Sequence, residues 1–116
     1  MNMNDKTLKN KYKKITASNL EVRVGEGWST LVEGALECIE LHCRLRGTMQ
    51  AKISCIKEKF GTLRIYLHPT NDYINGIIAY AEHLSSVTCE SCGKPGTLIK
   101  SMCARVRCED CERKQI

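Results

Sequence analysis

Apolar and polar positions change period several times along the chain, and each change predicts an element. Leu20-Glu21-Val22-Arg23-Val24 alternates strictly, which predicts a short strand. Gly25-Glu26-Gly27 breaks it, and the sole tryptophan, Trp28, follows as a core anchor rather than an exposed contact residue. The period then lengthens. Val32, Leu36, Ile39 and Cys43 recur at i, i+4, i+7 and i+11, with Leu31 and Ala35 widening the stripe, as on one face of a helix. Thr30 and Glu33 have the spacing of a capping box at its start. Glu33, Glu37 and Glu40 mark a mostly acidic outer face, and Arg44, Arg46 and Gly47 suit its end. The period next falls to two. Ala51 to Ile56 reads as a strand with Ala51, Ile53 and Cys55 on one face. In Thr62 to Leu67, Leu63, Ile65 and Leu67 alternate with Arg64, Tyr66 and His68. Lys57 to Gly61 connects the two as a hairpin, with Gly61 at the turn. Pro69-Thr70-Asn71-Asp72 stops the strand and caps a second helix to about Ser86, with Ile74, Ile77, Ile78, Ala81 and Leu84 as its stripe. The pattern predicts an α+β fold: helix, β-hairpin, helix.

Cysteine spacing adds a module. Cys89, Cys92, Cys108 and Cys111 form C-x2-C-x15-C-x2-C, a pattern that reads as a four-thiolate zinc site. Each pair supplies two sulfurs from one tight turn, and Gly93 stands where such a turn favours a positive φ. Four thiolates leave no open coordination position, so one structural zinc ion is expected, with iron as the chemical alternative. Cys103 is a substitute ligand that would break the paired symmetry. Eight cysteines also permit a disulfide framework, which the metal-like spacing disfavours. Cys38, Cys43 and Cys55 fall on apolar faces as small buried side chains. Only Val87 and Thr88 separate the second helix from Cys89, so the zinc ribbon-like module is expected to rest against that helix.

The 116 residues suffice for one small domain with an appended module. Three segments are expected: a basic N-terminal arm over 1–14, an α+β core over 15–87 and the zinc module over 88–116. Apolar residues make up 42% and aromatic ones 5%, which argues for an ordered, aliphatic core. No secretory pattern or spanning apolar run is visible, so a cytoplasmic location is expected. The net charge of +5 is uneven: +4 in 1–14, −1 in 15–87 and +2 in 88–116. Zinc with four thiolates would add −2 and bring the last segment near zero. The Lys-rich arm is either a frayed helix or disordered, and either a solvated end or a phosphate-binding tail. The polar hairpin face, with Lys52, Arg64, Tyr66 and His68, is either solvated or a surface for nucleic acid or an acidic partner. His42, His68 and His83 are scattered, and there is no paired-carboxylate signature and no HExxH. No catalytic residue is expected.

Gly27-Trp28-Ser29-Thr30-Leu31, Lys57 to Tyr66, Ala81-Glu82 and Cys89 to Gly96 together resemble small zinc-knuckle proteins encoded by bacteriophages and prophages. The resemblance spans about residues 25 to 111. It implies the same four cysteine ligands and a bacterial host cell, and carries no activity. The expected role is a non-enzymatic protein that binds and modulates a host protein complex, with anti-CRISPR or anti-restriction inhibition as the counter-defence form. The alternative is a DNA- or RNA-binding accessory protein. Lys9, Lys13, Lys14, Lys52, Arg64, Tyr66, Arg105 and Arg107 are the candidate contacts for either partner. No membrane or small-molecule substrate is expected.

Overall fold

The structure is a computed structural model that describes residues 4–47 and 50–114. Its elements are α1 (Asp5–Lys11), β1 (Thr16–Arg23), a 3-10 turn (Glu26–Trp28), α2 (Ser29–Arg46), β2 (Lys52–Lys59), β3 (Thr62–His68), α3 (Asp72–Ser85), β4 (Thr97–Ile99), β5 (Arg105–Arg107) and α4 (Glu109–Arg113). The fold is mixed α and β with a cysteine cluster near its C-terminus. A further helix, α1, stands first, and the strand expected over Leu20 to Val24 is β1, which begins earlier, at Thr16. β1 pairs in parallel with β2, and β2 pairs antiparallel with β3, giving the order β1-β2-β3. A parallel pair needs a crossover, and α2 supplies it.

The inward stripe of α2 is the expected one. Val32, Leu36, Ile39 and Cys43 are buried with Ile53, Ile56, Leu63 and Ile65 of the sheet. Trp28 is fully buried and donates its indole N–H to the Thr88 carbonyl at 2.9 Å. Asn71 caps α3 by accepting the Ile74 N–H at 2.9 Å. That bond occupies Oδ1, so the Asn71 amide nitrogen, 3.0 Å from His42 Nε2, is the donor there and the imidazole nitrogen accepts.

Several expectations need correction. The capping box does not form: α2 begins at Ser29 behind the 3-10 turn, with no side-chain cap. Glu33 turns inward instead and is only 8% exposed. Its Oε1 accepts from Lys11 Nζ at 2.6 Å and from the Tyr12 hydroxyl at 3.3 Å. Burial, and then the charge of Glu33, hold the Tyr12 hydroxyl well above the usual phenol range, so it stays a donor. The segment expected as an arm is helical over Asp5–Lys11 and docks on β1, and Leu8, Tyr12 and Ile15 enter the core. Residues 1–3 of that arm lie outside the described residues. The expected face Ala51, Ile53, Cys55 is broken by a register shift between Ile53 and Cys55. One extra residue reverses the alternation, so Ile56 is buried and Cys55 is half-buried. Cys38, expected inside, is exposed, whereas Cys43 is buried.

The hairpin turn is two residues long, because Lys59 pairs with Thr62. Both turn residues have positive φ, Phe60 at 54° and Gly61 at 90°. Such turns match the twist of the flanking strands and favour Asn-Gly or Gly-Gly. Phenylalanine there is a departure that local backbone preference does not explain. Among the described residues no helix is long and apolar enough to cross a membrane.

Candidate metal centre

Two short segments bring the four cysteine sulfurs together. Residues 89–94 make a tight turn in which the Cys89 N–H donates to Lys94 O at 2.8 Å and the Gly93 N–H donates to Cys89 O at 2.9 Å. Gly93 takes φ 85°, as the turn requires. The chain then forms the two-stranded ribbon β4–β5 and returns. The second pair differs from the ribbon-like expectation, since Cys108 and Cys111 stand at the start of α4. Cys108 caps that helix, its sulfur accepting the Cys111 N–H at 3.4 Å.

The sulfurs of Cys89, Cys92, Cys108 and Cys111 all lie within 4.8 Å of one another. Cys92 and Cys108 sulfurs are 3.6 Å apart. That is far beyond the roughly 2.05 Å of a disulfide. It is close to the edge of about 3.8 Å for a tetrahedron with metal–sulfur bonds of about 2.3 Å. All eight cysteines are free, which sets the disulfide framework aside. Burial alone would raise the Cys89 thiol, but backbone N–H groups of Cys108, Cys92 and Ser91 outweigh it and bring it down to about 6. Cys111 is pushed up to about 12, first by its hydrogen bond to Cys108. This donor set fits one metal ion with affinity for thiolates, and four protein ligands would close its tetrahedral shell. When bound, the ion supplies a cross-link between two chain segments. Cys103 lies on the exposed β4–β5 connection, outside the cluster.

The module is joined to the core through a contact that the cysteine spacing does not reveal. Glu90, inside the first turn, accepts the Gly25 N–H on its carboxylate at 2.9 Å and the Gly27 N–H on its carbonyl at 2.7 Å. Its own N–H donates to Val106 O at 3.0 Å, and its carboxylate stands 3.6 Å from the Arg107 guanidinium. Gly61 completes the seam: a Cβ there would come within 2.7 Å of Leu98 Cδ1 and 3.1 Å of Arg105 N. The module thus forms a seam with the 3-10 turn and the hairpin tip. The available signal was the pairing of a carboxylate inside the knuckle with the side-chain-free Gly25-Glu26-Gly27. Glu90→Ala is expected to cost about 2 kcal/mol of stability in denaturant unfolding, through loss of a charge-assisted bond and of the Arg107 partner. A cost near zero would show that the carboxylate does not hold the seam.

The candidate partner contacts scatter and are largely engaged. Arg105 makes a two-point ion pair with Glu112, and Arg107 faces Glu90. Arg64 stands 3.7 Å from Glu82. Lys9 donates to Ser18 O and Lys52 to Lys14 O. Lys57 Nζ lies 5.3 Å from the centre of the Tyr66 ring. Lys13 and Lys14 are exposed, without an ion pair among the described residues. They line a cleft of about 530 Å³ with Arg44 and Glu40. Comparison with protein-family models, with curated proteins and with solved structures found no match to this chain.

Proposed function

We propose that this is a non-enzymatic binding protein. Its four-cysteine site holds one structural zinc ion, and its β2–β3 hairpin tip engages a protein complex. In the phage or prophage setting that the sequence resemblance implies, the complex belongs to the bacterial host. Inhibition of CRISPR or restriction machinery is then the counter-defence form. The observation that carries the reading is Phe60. The only phenylalanine is 74% exposed, in a backbone conformation that costs an ordinary side chain about 1–2 kcal/mol. Such strain at a surface residue points to a functional requirement. The turn beneath it is braced by the metal module, so the ring is presented rigidly, as interface anchors are.

Phe60→Asn tests this by separating function from stability. Asn accepts a positive φ, and Asn-Gly is favoured in such a turn. The variant is expected to gain about 0.5–1 kcal/mol in denaturant unfolding, from relief of part of the strain. It is also expected to lose capture of a stoichiometric protein from nuclease-treated host lysate. Equal capture by both proteins, or by neither, would remove the reading. A nucleic-acid reading is supported only by Lys13, Lys14 and Arg44 around their cleft. It predicts DNA or RNA affinity that falls steeply with salt and weakens in Lys13→Ala/Lys14→Ala. Deleting residues 1–14 is not a clean test, because Leu8 and Tyr12 are core residues.

A further inference from the structure

The helix layer carries a second apolar stripe that the core uses only in part, through Leu31 and Ile77. On α2, Leu31, Gly34, Cys38, Leu41 and Leu45 recur at spacings of three, four, three and four, opposite the buried stripe. Leu45 is 75% exposed. On α3, Tyr73, Ile77, Tyr80 and Leu84 recur at four, three and four, and both tyrosines are exposed. The start of α2 meets the end of α3 in a shared groove of about 340 Å³, and His42 late in α2 stacks on Tyr73 early in α3. The two helices are therefore antiparallel. Spacings of three and four on a helix are those of a seam between helices. An antiparallel pair with such a seam on its outer side is half of a four-helix arrangement.

We propose that this face is closed by a second copy of the same chain, with α2 antiparallel to α2 across a twofold axis. Self-complementarity singles out this occupant. A twofold axis beside the midpoint of residues 39 and 40 sets Gly34 opposite the partner's Leu45 and Cys38 opposite the partner's Leu41. A Cβ on Gly34 would meet nothing within 4 Å, so the most exposed leucine of the stripe faces a hole. The same axis brings Glu37 to within two residues, about 3 Å along the helix, of the level of the partner's Arg44, and symmetry repeats the pair. Both residues are exposed on one flank of the stripe, and neither makes an ion pair among the described residues. An isologous interface requires this reciprocity of shape and charge. The face is separate from the Phe60 tip, so the two proposals fail independently.

The test is solution mass by light scattering after size exclusion, on the full metal-loaded chain with reductant present. Twice the chain mass of 13.1 kDa is expected at micromolar concentration. Leu45→Lys is expected to give a monomer that unfolds cooperatively, at a temperature independent of protein concentration, whereas that of the wild type rises with concentration. Glu37→Arg and Arg44→Glu are each expected to weaken the dimer about tenfold, and the double exchange to restore most of the loss. A wild-type monomer at about 100 µM, far above the concentration of a specific dimer, would overturn the proposal. Failure of the double exchange to restore the dimer would also overturn it. So would a monomeric wild type whose Leu45→Lys variant loses capture of a host protein, since the face would then belong to that protein.

Discussion

Cys108→Ser is expected to release the metal and unfold residues 88–114 while leaving much of the α+β layer in place. Cys108 has three duties: it is one of the four sulfurs, it caps α4, and its N–H donates to the Cys89 sulfur. A structural zinc in a small module supplies on the order of 10 kcal/mol of apparent binding energy, more than a module this small can replace from packing. Among the described residues, Val106 and Cys89 are its only fully buried large side chains. Trp28 reports the event, because it is the sole tryptophan and bonds to Thr88, next to Cys89. Its fluorescence is expected to shift to the red in the variant, and also in the wild type with a strong chelator. An unshifted spectrum with unchanged metal content would remove Cys108 from the ligand set.

Gly27→Ala is expected to strain the whole seam. A Cβ at position 27 would lie 2.2 Å from Cys89 O and 2.6 Å from both the carbonyl carbon and oxygen of Glu90. These are backbone atoms of the turn that carries Cys89 and Cys92 and cannot rotate away. Either the turn retreats, taking Cys89 from its partners, or the 3-10 turn shifts and withdraws Trp28 from the core. Overpacking of this kind costs about 3 kcal/mol at the upper end of its usual range. The cost is measurable as a lowered denaturant midpoint with unchanged slope. Gly76→Ala, inside α3, is the internal control. Its Cβ meets open space in the isolated chain, and a helix favours alanine over glycine by about 1 kcal/mol. A Gly27→Ala protein as stable as the wild type would mean that the module is not seated against the 3-10 turn.

The elements that sequence foretold share one property: their signals are local. The inward stripe of α2, the hairpin and its Gly61, the Asn71 cap and the four cysteines are all read within about 20 residues. Where expectation failed, the deciding partner was distant or the phase slipped. Glu33 reads as an exposed capping residue until Lys11 and Tyr12, 22 and 21 positions earlier, fold against it. The docking of α1 hangs on three apolar residues among five lysines, too few to form a periodic signal. The bulge in β2 moved burial from Cys55 to Ile56 without any glycine or proline to announce it. Glu90 was hidden in plain view, because a residue between two ligands draws attention to the ligands. The basic residues expected as partner contacts carry no signal in the sequence beyond their charge. Most of them turned out to face carboxylates or carbonyls supplied by other elements.

Metal stoichiometry decides whether the seam is held by an ion at all. Elemental analysis of the purified full chain, with thiols counted on the same sample, is expected to give one zinc per chain. All eight cysteines should then be reduced, with Cys43 protected by burial and Cys89, Cys92, Cys108 and Cys111 protected from thiol reagents until a chelator is added. A chain that is folded by its Trp28 fluorescence, free of metal and reactive at Cys92, Cys108 and Cys111 would contradict the metal clamp outright.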